Sequence, residues 1–216
     1  NAENLQEATI ENRRNMPDKE RRRFYEGLFG GQVEGALWKP DIFRRIQPVN
    51  RPEIIRQVVG IDPAVTSSAL SDETGIILAG AGIDGNFYIM HDASGVMPVD
   101  KWAKRAVNLY NSTYSDLIVA ESNNGGDLVE RSIKFEDPNV NFKKVTASRG
   151  KITRAEPVAQ LYAKGQVYHV GDLRELEDQL CDYSPINYDG SPDRMDALVW
   201  ALTELAENKR GEIKIL

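Results

Sequence analysis

The sequence predicts an α/β fold in which an antiparallel meander of strands continues into parallel strands, with helices flanking the mixed sheet. Three observations carry this expectation. An apolar run, IIRQVVGID at residues 54–62, ends abruptly in a carboxylate and reads as a buried strand. Two further strand patterns, ETGIILAGAGI and NFYIMHDASG, are separated by Asp84-Gly85, a hairpin signal whose two turn positions are expected at positive φ. Beyond them, short apolar runs alternate with helix-length amphipathic ones, as in crossovers onto a parallel sheet.

Residues 1–53 read as an arm or linker that packs on other structure. They are polar, rich in Arg and interrupted by Pro17, Pro40, Pro48 and Pro52. A short helix is expected between Pro17 and the Gly30-Gly31 stop, carrying the cluster Arg21, Arg22 and Arg23, and a second helical stretch follows Trp38. Residues 54–216 form the main domain. After the meander, VDKWAKRAVNLYNS places Trp102, Ala106, Leu109 and Tyr110 on one helical stripe. SDLIVAES is a short apolar strand ending at Glu121, GGDLVERSIKFE a helix, and NFKKVTAS another strand. A helix from about Thr153 to Ala163, the short strand QVYHV and the helix DLRELEDQLCDY follow, and SPDRMDALVWALTELAENK closes the domain as a helix.

Composition narrows the class. With 41% hydrophobic residues and a net charge of -6, the whole chain cannot be disordered. No run of 18 apolar residues exists, so no membrane partner is expected, and the N-terminal segment has no signal-like apolar stretch. Cys181 is the only cysteine, which excludes an internal disulfide and a cysteine zinc cage and fits a reducing compartment. His91 and His169 are too few to build a His-rich metal site. No GxGxxG follows the first strand and no GxxxxGK[ST] is present, so no phosphate loop is expected.

Three carboxylates converge by topology. Asp62 ends the first strand of the domain and Glu121 the fourth; as parallel neighbours, these strands would set the two acids side by side. Two carboxylates there repel unless a proton or a cation intervenes. In the last helix, Ser191 is a good N-cap and Pro192 a good first residue, with Asp193 in the first turn and Asp196 three residues on. The neighbours Met195, Ala197, Leu198, Val199, Trp200, Ala201 and Leu202 leave that helix almost no polar side. A buried Asp196 therefore needs Arg154, Arg194, another cation or a metal. Asp62, Glu121 and Asp196 suit hard divalent ions, Mg²⁺ or Mn²⁺, and two such ions about 3.5–4 Å apart serve phosphodiester cleavage. Asp193 is an additional candidate ligand. Asn123 either orients Glu121 or makes a turn.

The motifs VVGIDPA, LIVAESNNGG and SPDRMDALVWAL resemble the C-terminal nuclease domain of the large terminase subunit of tailed bacteriophages, a branch of the ribonuclease H-like superfamily. The resemblance runs from about Val58 to Leu205, and weakly into the arm, where NMPDKERRRFYEGLFGGQVEGALWKPDIF is similar to the segment that joins motor to nuclease. It implies a ribonuclease H-like sheet and a metal-dependent endonuclease that cuts concatemeric double-stranded viral DNA during genome packaging, in the cytoplasm of the infected bacterial host. It also implies that Asp62, Glu121 and Asp196 are the catalytic metal-binding carboxylates, and that Asp193 matches an extra acidic position of resolvase-like relatives. An ATPase motor domain, a portal and a small terminase subunit are the implied partners; the motor is absent from these residues, as in an excised domain or truncated product.

A basic stretch lies between the second and third acidic motifs. Residues 131–164 hold 8 Lys or Arg against 3 Asp or Glu, although the chain as a whole is acidic. Lys143, Lys144, Arg149, Lys151 and Arg154 are the candidate contacts to DNA phosphates, the kind that bind without reading sequence and weaken with salt. No recognition-helix pattern appears, so weak sequence preference is expected. His91, His169, Cys181 and the three tryptophans read as structural. Two rivals share the fold: a resolvase-like nuclease, which would favour four-way junctions, and a non-catalytic DNA-binding or assembly module, which would hold DNA without metal. An actin-like kinase would need two glycine-rich hairpins in duplicated lobes, and neither occurs.

Overall fold

A computed structural model describes residues 35–63, 73–122, 126–147, 150–184, 188 and 190–212. The expected arm helix with Arg21, Arg22 and Arg23, and the residues Asn123 and Arg149, lie outside the described residues.

Eight strands form one mixed sheet: β1 Arg44–Ile46, β2 Ile54–Asp62, β3 Glu73–Gly82, β4 Phe87–Asp92, β5 Gly95–Val96, β6 Leu117–Glu121, β7 Phe142–Val145 and β8 Val167–Val170. Among the described residues five α-helices flank it: α1 Val99–Ser112, α2 Gly126–Glu136, α3 Lys151–Ala163, α4 Arg174–Asp182 and α5 Asp193–Glu212. The spatial order is β1-β8-β4-β3-β2-β6-β7, with the short β5 beside β3. The meander β2–β3–β4 is antiparallel, while β6 and β7 continue it in parallel on one side and β8 and β1 on the other. This is the mixed sheet the sequence predicts, of ribonuclease H-like topology.

Strand alternation sorts the core into two layers. Val58, Ile77, Ala79, Phe87, Ile89, Leu117 and Val119 face α3, α4 and α5, whereas Val59, Ile61, Ile76, Leu78, Ile118 and Ala120 face α1 and α2. The burial of residues 58–61 of β2, and of most of β3 and β6, explains why these stretches read as continuous apolar runs rather than alternating ones. Asp62 and Glu121 share parity with Val58 and Val119, so both acids point to the α5 side of the sheet.

The approach of α5 to the sheet depends on two glycines. A Cβ on Gly60 would run into the Ala197 backbone carbonyl, and one on Gly75 into that of Asp193. Their absence lets the helix lie directly on β2 and β3 and carries its N-terminal turn down to the end of β2.

Two local expectations are corrected. The β3–β4 connection is the four-residue stretch 83–86, in which the Gly85 amide donates to the Gly82 carbonyl at 2.9 Å and Gly85 alone sits at positive φ, +79°. Asp84 keeps an ordinary backbone and caps the loop through the Asn86 amide and the Tyr88 hydroxyl, so the turn is a type I turn followed by a left-handed glycine. Helix α5 opens one residue later than expected: the Asp196 amide donates to the Pro192 carbonyl, which makes Pro192 the cap, while Ser191 hydrogen-bonds Asp193.

The sheet also extends across the boundary at residues 53 and 54. β1 pairs with β8 in the register Arg45↔His169, and Trp38 and Phe43 are buried in the α3–α4–α5 side of the core. His169 is held there by Tyr162, by Glu177 and by a stacked Phe43 ring, and Glu177 in turn takes a bidentate contact from Arg45. This histidine is structural.

Candidate active site

The register Ile61↔Ala120 leaves Asp62 and Glu121 one residue further on, side by side at the C-terminal ends of parallel neighbours. Helix α5 adds Asp193 and Asp196 from its first turn. Asp62 therefore sits in a field set by all three other acids. Burial comes first, and Asp196, Asp193 and Glu121 add to it, pushing the Asp62 carboxyl up to about 8 despite Lys151 nearby. Among the described residues no cation pairs directly with Asp62. Asp193 is raised to about 6, chiefly by burial, against the opposing hydrogen bond from Ser191. Burial also raises Asp196, in spite of Lys151 and Arg154.

Two cations of α3 face this cluster. Lys151 Nζ lies 2.6 Å from Asp196 Oδ2. The ammonium is a charge-assisted partner of this buried oxygen. Burial disfavours the Lys151 charge, but Asp196 beside it outweighs this and raises the ammonium's pKa. Arg154 Nη1 donates to Glu121 Oε2 at 3.0 Å, and Nη2 lies 3.6 Å from Asp196 Oδ1. Its guanidinium also stacks on the Trp200 ring, 4.6 Å from the centroid. Trp200 Nε1 donates to the same Glu121 Oε2 at 2.9 Å.

The donor set fits a hard divalent cation. Every candidate ligand is a carboxylate oxygen. Four carboxylates face two cationic side chains, which leaves an excess of negative charge in a poorly hydrated pocket. As the side chains stand, no three acidic groups among the described residues are converged into a chelating set.

The basic candidates separate. Lys151 and Arg154 belong to the carboxylate cluster, and Arg154 faces inward with a side chain only 11% exposed. Lys143 pairs at 2.6 Å with the buried Glu204, which also holds Arg56. Lys144 is at the surface beside Asp127. Arg194, an alternative partner for Asp196 on sequence grounds, turns away to Glu73, Asp92 and Glu175. Neither histidine joins the cluster: His91 is exposed on β4, and His169 lies in the network around Glu177.

Trp200 is the residue that sequence reasoning passed over as a packing anchor. A signal was present, since it stands four residues after Asp196 and so on the same helix face.

Fold and site define a ribonuclease H-like domain with an acidic cluster at the ends of two parallel strands. The chain belongs to the terminase RNaseH-like domain family, whose match covers residues 59–205. Among solved structures, the large terminase nuclease of thermophilic phage G20c aligns with a TM-score of 0.57 at 15% identity, over 79% of this chain and 98% of that one. The nuclease domain of the large terminase subunit gp2 of bacterial virus Sf6 aligns at 0.52 and 12% identity, over 70% and 89%. At such identities the likeness establishes the fold. The G20c nuclease has been obtained with bound zinc, cobalt and magnesium, and a mutant Sf6 domain with manganese. Comparison with curated protein sequences gives no significant match. Among the described residues no helix is long and apolar enough to cross a membrane.

Proposed function

We propose that this domain is a divalent-metal-dependent endonuclease that hydrolyses phosphodiester bonds of concatemeric double-stranded DNA during viral genome packaging. One observation carries the reading: among the described residues, four acidic side chains cluster at the ends of β2 and β6 and the start of α5, against two cationic ones, Lys151 and Arg154. Asp62, Glu121 and Asp196 would hold Mg²⁺ or Mn²⁺, with Asp193 as an additional ligand. Bound there, two such ions would supply the positive charge that activates water and stabilises the leaving oxygen.

The chain's own residues do the rest. Lys151 and Arg154 balance part of the acidic charge before DNA arrives. Lys151, with a side chain 43% exposed, would exchange Asp196 for a DNA phosphate. Lys144 and Arg149 extend this sequence-independent contact. The metals bound by the G20c and Sf6 nucleases support divalent-ion use here. The family supports a motor domain on the same polypeptide, a portal and a small subunit as partners, working in the cytoplasm of the infected host.

Plasmid nicking with Mg²⁺ or Mn²⁺ tests the reading. Asp62→Ala and Asp196→Ala should each abolish nicking while circular dichroism stays that of the wild type, and linear duplex should be cut as readily as a four-way junction. Wild-type activity in either variant would refute the assigned site, and selective cutting of junctions would favour a resolvase.

A further inference from the structure

We infer that Trp200 is a positioning residue: its indole N–H, together with the Arg154 guanidinium that it carries on its ring, fixes the Glu121 carboxylate and thereby sets the divalent-metal affinity of the site. The inference rests on the metal-site reading above and assigns a role to a side chain that no ligand would touch.

The geometry is a closed triangle. Trp200 Nε1 donates to Glu121 Oε2 at 2.9 Å, Arg154 Nη1 donates to the same oxygen at 3.0 Å, and the guanidinium stacks over the indole at 4.6 Å. Both donors converge on one carboxylate oxygen, so rotation of Glu121 would break two contacts at once. Arg154 also reaches to 3.6 Å from Asp196 Oδ1, which ties the β6 carboxylate to the α5 carboxylate through a single stacked cation. Helix periodicity sets the arrangement, since Asp196 and Trp200 are one turn apart on α5.

The indole contact is not mere hydrogen-bond satisfaction. Trp38 and Trp102 are more deeply buried than Trp200, and their Nε1 atoms have no hydrogen-bond partner among the described residues. The indole beside the carboxylate cluster, by contrast, is aimed at a candidate ligand. A carboxylate that coordinates metal through a mobile side chain loses rotational freedom on binding; holding it in advance removes that cost. Groups that orient metal ligands in this way are typically worth about 10–100-fold in metal affinity.

The test uses the full chain without DNA and Mn²⁺ alone, titrated calorimetrically. Trp200→Phe keeps a ring under Arg154 but removes the donor, and should weaken Mn²⁺ binding by about 10–100-fold. Trp102→Phe, a comparable loss at a buried indole away from the site, should leave Mn²⁺ affinity unchanged. A second readout needs no change at Trp200: in the ¹⁵N-labelled wild type, saturating Mg²⁺ should shift the Trp200 indole resonance and leave those of Trp38 and Trp102 in place. Wild-type Mn²⁺ affinity in Trp200→Phe, or a Trp200 indole signal unmoved by Mg²⁺, would overturn the positioning role while the metal site stands. Absence of saturable Mn²⁺ binding by the wild type would overturn both.

Discussion

Replacing Asp62 by Asn should stabilise the metal-free protein, and the gain should grow with pH. The carboxyl titrates near 3.8 when exposed to water and at about 8 in the folded chain, chiefly because of burial and then because of Asp196, Asp193 and Glu121. Below the lower value the group is protonated in both states and has no effect. Between the two, the folded chain retains a proton that the unfolded chain has released, so this group's contribution to stability falls as pH rises; above about 8 the whole penalty is in place. A separation of about four pH units corresponds to at most about 5 kcal/mol. Asp62 is not wholly enclosed, and water and counter-ions recover part of that, which leaves about 2–3 kcal/mol. For a chain of this size the Asn variant should melt about 5–10 °C above wild type near pH 9, and by much less near pH 5. Thermal melts in EDTA across that range are the assay. Saturating Mg²⁺ should narrow the gap, because a cation bound by the wild-type carboxylate repays the same penalty. An Asn variant whose advantage is flat from pH 5 to pH 9 would refute the claim that Asp62 stands uncompensated among acids.

Gly60→Ala should cost about 3 kcal/mol and impair nicking, since its methyl group meets the Ala197 carbonyl and displaces the helix that carries Asp193 and Asp196; an unchanged melting temperature would count against that close approach. Glu177→Ala should cost about 3 kcal/mol by stripping His169 and Arg45 of their shared acceptor, and limited proteolysis should then cut the β1 region faster. The network around Glu177 should lose its contribution to stability in acid. His169 is held below its ordinary 6.5, first by burial, and Glu177 below 4.5 by His169 and Arg45 against the opposing effect of burial. Both contributions are intact above those values and are lost as pH falls through them. In an Asp62→Asn background, which removes the opposing gain from that carboxyl, a melting temperature in EDTA that stays level from pH 6.5 down to pH 4 would contradict this.

Much of the site was legible in the sequence because it depends on topology rather than on side-chain detail. An apolar run that stops at Asp62, another that stops at Glu121, and the expectation that the two strands are parallel neighbours suffice to put the acids together. Asp196 was legible because apolar residues on every side of it signal burial. What stayed hidden depends on where a side chain turns after the fold is made. Lys143 and Arg154 sit in the same basic stretch, yet β7 directs one to Glu204 and α3 directs the other to Glu121. Trp200 has the composition of a core residue, and only the placement of α5 over β6 turns its N–H toward Glu121. The place of QVYHV beside β4, with β1 beyond it, was equally hidden, since a short strand carries no mark of which sheet edge it joins. The β3–β4 turn was misread for a local reason: Asp84 meets its hydrogen-bonding needs without positive φ, so Gly85 alone provides the left-handed residue.

The central claim is that distant acids hold metal against the DNA backbone, and anomalous diffraction from crystals grown or soaked with Mn²⁺ tests it most directly. Density bounded by Asp62, Glu121 and Asp196, with Lys151 swung off Asp196, is the predicted result. A fully soaked crystal with Mn²⁺ elsewhere and Lys151 still on Asp196 would contradict it.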